Sequence, residues 1–370
     1  MAINWADTGY SYDVSVLVIS QTDVNTTKGA LKGVQPGNMT VTESYYSDSR
    51  ISAKVTTTVA ESDSDGYVNQ ARLRIVLSIP EKNFLEELIT GFVSDINEEH
   101  NHGYVTKTYS IEGNIWGLLN HKTNAPITIG KGAKLVDIWS SLLKSLTKLQ
   151  YTTEGAQDHS FGSTVLYEAG SDLSTVLFEI SEGYSRMDTD GHGRVTLKKY
   201  TSPKNRYPER LIDYNSLNSL AMLPLSRDDT SWEAPGRAVV TATISHTSDN
   251  GESTQEVIVG SYDSPKDNPT SIEKRGYLLG RTDSYSGNSE KPSKSELDAL
   301  AKKNWESSQD KGITWEGSSV FADYHAGEIA TLISPVDGSS NAPVESHKVL
   351  IQSVTTNLGT MTQDLTLKEV

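Results

Sequence analysis

Lys348-Val-Leu-Ile-Gln-Ser-Val-Thr-Thr-Asn-Leu-Gly-Thr-Met-Thr-Gln-Asp-Leu-Thr-Leu-Lys-Glu-Val370 closes the chain and reads as an antiparallel hairpin. Ile351-Gln-Ser-Val354 alternates apolar with polar residues, a turn follows around Gly359, and Leu365-Thr-Leu367-Lys resumes the alternation. Strand side chains repeat every two residues, so each arm sends one set inward and the other outward. The same pattern occurs once before, from Gly91 to Gly113: Val93-Ser-Asp-Ile96, a loop at His100-Asn-His-Gly103, then Tyr109-Ser-Ile111-Glu. The anchors lie 16 residues apart in the earlier stretch (93 to 109) and 14 in the later one (351 to 365), so only loop length separates them. Any two hairpins share such alternation, so the pattern alone leaves a duplication open. A true duplication would place two related β-domains in one chain.

The 370 residues leave room for roughly two to four domains. Only 35% are hydrophobic, while Ser and Thr abound, a mixture suited to half-exposed antiparallel sheets. Cysteine is absent, which removes disulfides, thiolate metal sites and cysteine nucleophiles. Met1-Ala-Ile-Asn-Trp-Ala-Asp lacks the order of a signal peptide, and no run has the length of a membrane span. The expectation is a protein made in a reducing cytoplasm, or exported within something assembled there. A net charge of −15 opposes tight nucleic-acid binding, which needs Lys and Arg to displace counterions from phosphate. It is compatible with DNA sliding past an acidic wall, repelled within a Debye length of about 8 Å; ordinary solubility accounts for the charge equally well.

Alternation dominates from Tyr10 to Ile111. Tyr12–Ile19, Asn38–Glu43, Arg50–Val59 and Gln70–Ile79 are strand-like, with turns at Val34-Gln-Pro-Gly37 and Ser62-Asp-Ser-Asp-Gly66. With the Gly91 to Gly113 hairpin this gives about six or seven strands, enough for a small barrel or sandwich. After Pro126 the texture changes: Leu135, Ile138, Trp139, Leu142, Leu146 and Leu149 recur at helical spacing. A second helix follows Asp172, with Leu173, Val176, Leu177 and Ile180 as its stripe, and a hairpin bends at Asp190-Gly-His-Gly193. Strands return at 236–244 and 254–259. Ser293-Lys-Ser-Glu296 has capping-box spacing ahead of a helix bearing Leu297, Leu300, Ala301 and Trp305. The boundaries expected are 1–120 for a first β-barrel, 121–225 for a mixed α/β insertion, 226–260 with 312–370 for a second β-barrel, and 261–311 for a loop and helix excursion.

Chemical motifs are sparse. Asp188-Thr-Asp-Gly-His-Gly193 begins like an EF-hand loop, but Lys199 stands where the bidentate Glu belongs, so it reads as a turn. His100 and His102 lack a convincing third ligand and read as a loop apex. Gly130-Lys-Gly132 lacks the rest of a phosphate-binding loop and reads as a strand-to-helix turn. No G-x-S-x-G occurs. With 48 acidic residues, no carboxylate pair for sugar hydrolysis can be nominated. The six tryptophans are scattered like separate core or interface anchors. Neither a catalytic site, a metal nor a cofactor is assigned.

The order of parts resembles the baseplate-hub or tail-hub proteins of tailed bacteriophages and related contractile injection systems. The residues that carry the likeness are the pair Gly91–Ile96 and Tyr109–Gly113, the turn and helix from Gly130 to Leu149, and the helix and hairpin from Asp172 to Lys198. To these are added the helix at Ser293–Ser308, the strands at Ile313–Ser319 and from Gly327-Glu-Ile, and the final Ile351–Leu367 hairpin. The resemblance implies a mainly β (α+β) fold with two tail-tube-like antiparallel barrels in each subunit. It implies a homotrimeric ring of six-fold pseudo-symmetry joining a tail tube or distal tail protein to a three-fold spike, fibre or tip protein, in the virion tail tip. DNA would pass through without tight binding. Many such hubs continue into a peptidase, muramidase or needle domain; here the sequence stops after the closing hairpin, so a bare, non-enzymatic hub is expected. Val93, Ile96, Tyr109, Ile111, Ile351, Val354, Leu365 and Leu367 are its candidate interface and lumen residues. The alternatives are a tail-associated hydrolase of cell wall or polysaccharide, and a carbohydrate-binding adhesin.

Overall fold

A computed structural model of the chain describes residues 5, 10–47, 49–63, 71–119, 121–216, 219–247, 253–285, 292–309, 312–335 and 344–370. The expected turn at Ser62–Gly66 is described only to Asp63; the rest of it, and Gln70, lie outside these residues.

The amino-terminal region is β throughout, as its alternation predicts. Its strands are β1 (Asp13–Ile19), β2 (Thr27–Ala30), β3 (Thr40–Ser44), β4 (Ile51–Ala60), β5 (Arg72–Ile79), β6 (Phe84–Asn101) and β7 (Tyr104–Gly113). The earlier hairpin is longer and tighter than expected. Strand β6 begins at Phe84 and runs through His100 to Asn101, and a two-residue turn with His102 and Gly103 at positive φ leads into β7. Gly91 lies opposite Gly113. A Cβ on Gly91 would sit 2.2 Å from the Glu112 carbonyl oxygen, so only glycine lets the strands approach this closely.

Next come α1 (Trp116–Leu119), β8 (Ile127–Ile129), α2 (Leu135–Leu146), β9 (Tyr151–Thr152), β10 (Val165–Tyr167), α3 (Leu173–Ser181), β11 (Ser185–Thr189) and β12 (Val195–Lys199). Both expected helices form. Their stripes meet in one core that holds Leu135, Trp139, Leu143, Leu173, Val176, Leu177 and Ile180, with Ile115 and Leu118 beside them. Burying each such side chain contributes ~1.5–3 kcal/mol.

Two further strands, β13 (Arg210–Asp213) inside 121–225 and β14 (Ala221–Asp229) running across its end, instead join the large sheet. The chain then builds β15 (Arg237–Thr247), β16 (Ser253–Asp263), α4 (Ile272–Arg275), β17 (Gly280–Ser284) and α5 (Lys294–Ser308). Strand β15 pairs antiparallel with β16 and parallel with β17. The strands expected at 236–244 and 254–259 thus pair with this excursion and not with the closing hairpin. Ser226–Trp315 is a compact unit of its own, distinct from a larger one formed by Met1–Leu225 and Glu316–Lys368. In the smaller unit α5 packs Leu297, Ala301 and Trp305 on Ala238, Val240 and Ala242. Its amino terminus carries the expected capping box.

The last strands are β18 (Ile313–Val320), β19 (Ile329–Pro335), β20 (Val344–Asn357) and β21 (Thr362–Glu369). Together with β1–β7, β13 and β14 they make a 13-stranded sheet. Its order repeats itself. The early strands stand as β3-β4-β7-β6-β5-β1 and the late ones as β14-β18-β21-β20-β19-β13, so first, second, third and later strands of each set occupy the same places. One direction differs: β1 is antiparallel to β5, whereas β13 is parallel to β19. The sets are joined where Ser353–Asn357 of β20 pair antiparallel with Thr40–Ser44 of β3.

Candidate assembly surface

The two hairpins hold the eight residues singled out in the sequence. Across β6 and β7, Val93 lies opposite Ile111 and Ile96 opposite Tyr109. Tyr109, Ile111, Ile351, Val354, Leu365 and Leu367 are all buried in the core. Only Val93 and Ile96 are half-exposed. What six of these side chains do directly is anchor the strands; exposed neighbours and backbone edges are what remains for a partner.

Among the described residues such edges include those of β6 and β14. From Asp95 to Asn101, β6 pairs with β7 alone among the described residues, and all of these side chains except Ile96 are exposed. Strand β14 ends the sheet beside β18, with Leu223 70% exposed. Unpaired N–H and C=O groups make a strand edge a template for further pairing.

A polar clasp that no sequence motif announced ties the two strand sets together beside their joint. It sits in the Phe321–Glu328 connection between β18 and β19. His325 Nδ1–H donates to Glu43 on β3 (3.0 Å), and its Nε2–H to Asp323 (3.1 Å), with Glu86 of β6 at 3.4 Å. Burial lowers the His325 pKa, but the hydrogen bonds it donates to Asp323 and Glu43 outweigh this and push the value up to about 11. Burial, with Asp323 adding to it, pushes Glu86 up to about 8. Asp323, although its burial works the other way, is held below the carboxylate range by its bond to His325. Arg210 of β13 caps the far side, its Nε donating to Glu328 (3.0 Å) and its Nη2 to the Asp323 carbonyl (2.8 Å). Glu86, Asp323 and His325 bring three ligand atoms within 4.8 Å of one another, close enough to surround a cation. The imidazolium N–H groups already engage those oxygens. The only sequence signal was a polar run, Asp323-Tyr-His325, between two apolar strands.

The Asp190–Gly193 turn is a plug, not an ion loop. The Asp190 carboxylate accepts from the Arg194 backbone N–H (2.7 Å) and side chain (2.8 Å). The Gly191 carbonyl accepts from Thr90 (2.7 Å), the Gly193 carbonyl from Asn114, and the His192 carbonyl from buried Arg74 (3.1 Å). The turn therefore seats the insertion on β5 and β6. His100 pairs with Glu61 (2.9 Å) and Glu98 (3.2 Å). Gly132, at positive φ, donates its N–H to the Phe161 carbonyl, a turn into α2.

No family profile and no curated protein matches this chain. Solved structures do. The chain is similar to a tail protein from Neisseria meningitidis MC58, with 12% identity, TM-score 0.63 and 97% of each chain covered. It is similar to the 43 kDa tail protein of prophage MuSo2 from Shewanella oneidensis, with 9% identity, TM-score 0.64 and 98% of each chain covered. A third likeness is to prophage tail protein gp18 from Listeria monocytogenes, with 10% identity, TM-score 0.52, and 96% of this chain and 94% of that one covered. At such identities the fold is what is shared: a mostly β fold of the phage tail-protein kind. Among the described residues no helix is long and apolar enough to cross a membrane.

Proposed function

We propose that this chain is a structural hub of a phage tail tip, in which three copies form a ring that imitates six-fold symmetry. One face of the ring meets the six-fold tail tube or a distal tail protein, and the other receives a three-fold spike, fibre or tip protein. The observation that carries this is the strand order repeated within one sheet. Two like halves per subunit let three subunits offer six similar docking surfaces, which a subunit with one half could not do. The charge of −15 per chain suits a bore through which DNA slides without binding. The protein works by geometry and not by chemistry, in the virion, after assembly in the host cytoplasm. Light-scattering mass with negative-stain images tests it: three chains arranged as six similar lobes around a hole are expected. A lone subunit with no hole at every concentration would overturn it.

A further inference from the structure

The Phe321–Glu328 connection holds Asp323 and His325 in place from both sides. The Gln363 side chain, buried on β21, accepts from the backbone N–H groups of Ala322 (3.0 Å) and Tyr324 (3.2 Å) and donates to the Tyr324 carbonyl (3.1 Å). Glu328 accepts from the His325 backbone N–H (3.1 Å) and from Arg210 (3.0 Å), and Glu43 accepts from the Ala326 backbone N–H (3.2 Å). Those two carboxylates are spoken for by fixed donors. The carboxylates of Asp323 and Glu86 are not: among the described residues His325 is the one cationic side chain that pairs with either. Glu86 Oε2 is buried with no hydrogen-bond partner, a costly state for a carboxylate oxygen and one that calls for a ligand.

The spacing suits a metal ion. His325 Nε2 lies 3.1 Å from Asp323 Oδ1 and 3.4 Å from Glu86 Oε1, and one ligand atom from each residue falls within 4.8 Å of the others. Around zinc, bonded at about 2.0–2.2 Å, the corners of a tetrahedron stand about 3.3–3.6 Å apart. On the far side of the ring, Nδ1–H donates to Glu43 at 3.0 Å, the kind of carboxylate partner that fixes the orientation of a metal-ligating histidine. A cavity of 220 Å³ reaches the cluster, with Glu43, Glu86 and His325 in its wall. It gives the ion a way in and leaves room for a water as fourth ligand.

We propose that Glu86, Asp323 and His325 bind a divalent transition-metal ion, zinc by preference, as a structural staple between the early and late strand sets. Glu86 belongs to β6 of the early set, whereas Asp323 and His325 lie between β18 and β19 of the late one. One imidazole nitrogen with two carboxylate oxygens suits zinc, while calcium needs six or more oxygens and magnesium an octahedral shell. Without the ion the cluster carries protons in its place, one on Nε2 and one on the Glu86 carboxyl, which burial pushes up to about 8. Zinc takes the Nε2 lone pair and the Glu86 oxygen, both protons leave to solvent, and one divalent charge replaces two single ones. The site lies wholly within the larger compact unit and does not depend on the ring reading.

Chelator-treated protein titrated calorimetrically with zinc chloride at mildly alkaline pH should take up one ion per chain. Its melting midpoint should rise with zinc chloride and not with magnesium chloride, and cobalt(II) chloride should give the strong visible absorption of a four-coordinate site. Glu43→Gln should weaken zinc binding about 10–100-fold, and Asp323→Asn and His325→Gln should weaken it further. His100→Ala, in the loop apex that pairs with Glu61 and Glu98, should leave it unchanged. If a ligand variant fails to fold, the cobalt spectrum and the zinc-dependent melt of the unaltered chain still decide. No zinc uptake by that chain, a six-coordinate cobalt spectrum, or equal uptake by folded His325→Gln would overturn the site. None of these outcomes alters the mass of the assembly, so the staple and the ring fail separately.

Discussion

His325 joins the two strand sets through charge. Its folded pKa of about 11 lies above the ordinary 6.5, so the folded state holds a proton that the unfolded chain releases. The stabilisation is complete below pH 6.5 and is lost as pH rises toward 11. Glu86, raised from 4.5 to about 8, works in the same direction: its contribution is complete below pH 4.5 and gone above 8. We expect His325→Ala to cost about 1–3 kcal/mol at neutral pH, because the Glu43 and Asp323 carboxylates lose their donor. In thermal melts the gap between wild type and variant should narrow as pH climbs from 6.5; a gap independent of pH would contradict a protonated clasp. Gly191 acts by shape. A Cβ there would fall 1.6 Å from the Glu87 carbonyl oxygen, so Gly191→Ala must push the plug off the sheet. The expected loss is about 1–3 kcal/mol, with faster amide exchange in the β11–β12 turn; unchanged exchange would show that the turn is not seated there.

At the scale of elements, period and caps were the legible signals. The stripes from Leu135 and from Leu173 became α2 and α3, although Leu143, fully buried, stands outside the stripe that the spacing picked out. The capping box at Ser293 starts α5, and Ser293→Ala should cost ~1 kcal/mol, read as faster exchange in its first turn with the assembly mass unaltered. Strand β5 shows where period fails. Arg72-Leu-Arg-Ile reads as one apolar and one solvated face, yet Arg72 and Arg74 are buried along with Leu73 and Ile75. The Asp190–Gly193 turn and Val24 supply carbonyls to the Arg74 guanidinium, and Arg72 stacks 4.6 Å over Phe92. Those partners come from distant segments, and alternation within a strand carries no record of what will cover its outer face.

At the scale of the whole molecule, the pair of hairpins visible in the sequence is embedded in a larger repetition. Six strands in each set share one order, and the smaller unit at Ser226–Trp315 is inserted between two neighbouring strands of the late set. That insertion separates β14 from β18 by more than eighty residues, which hid their pairing and led strands β15 and β16 to be grouped with the closing hairpin. If the ring forms, the light-scattering mass should fall from three chains toward one as the protein is diluted, and a mass independent of concentration at one chain would contradict it.

The sequence by itself determined the longer helices and most of the long strands, because side-chain period, turn residues and caps act between near neighbours; short elements such as β2, β13 and β17 carried no such signal. It also showed that the chain holds two like hairpins and lacks cysteine. Tertiary structure alone decided that both sets share one sheet, that His325 draws Glu43, Glu86 and Asp323 together, and that six of the eight nominated side chains are core. Those outcomes depend on which distant edges pair and which groups are buried together, and free energies of that kind are set by contacts between residues hundreds of positions apart.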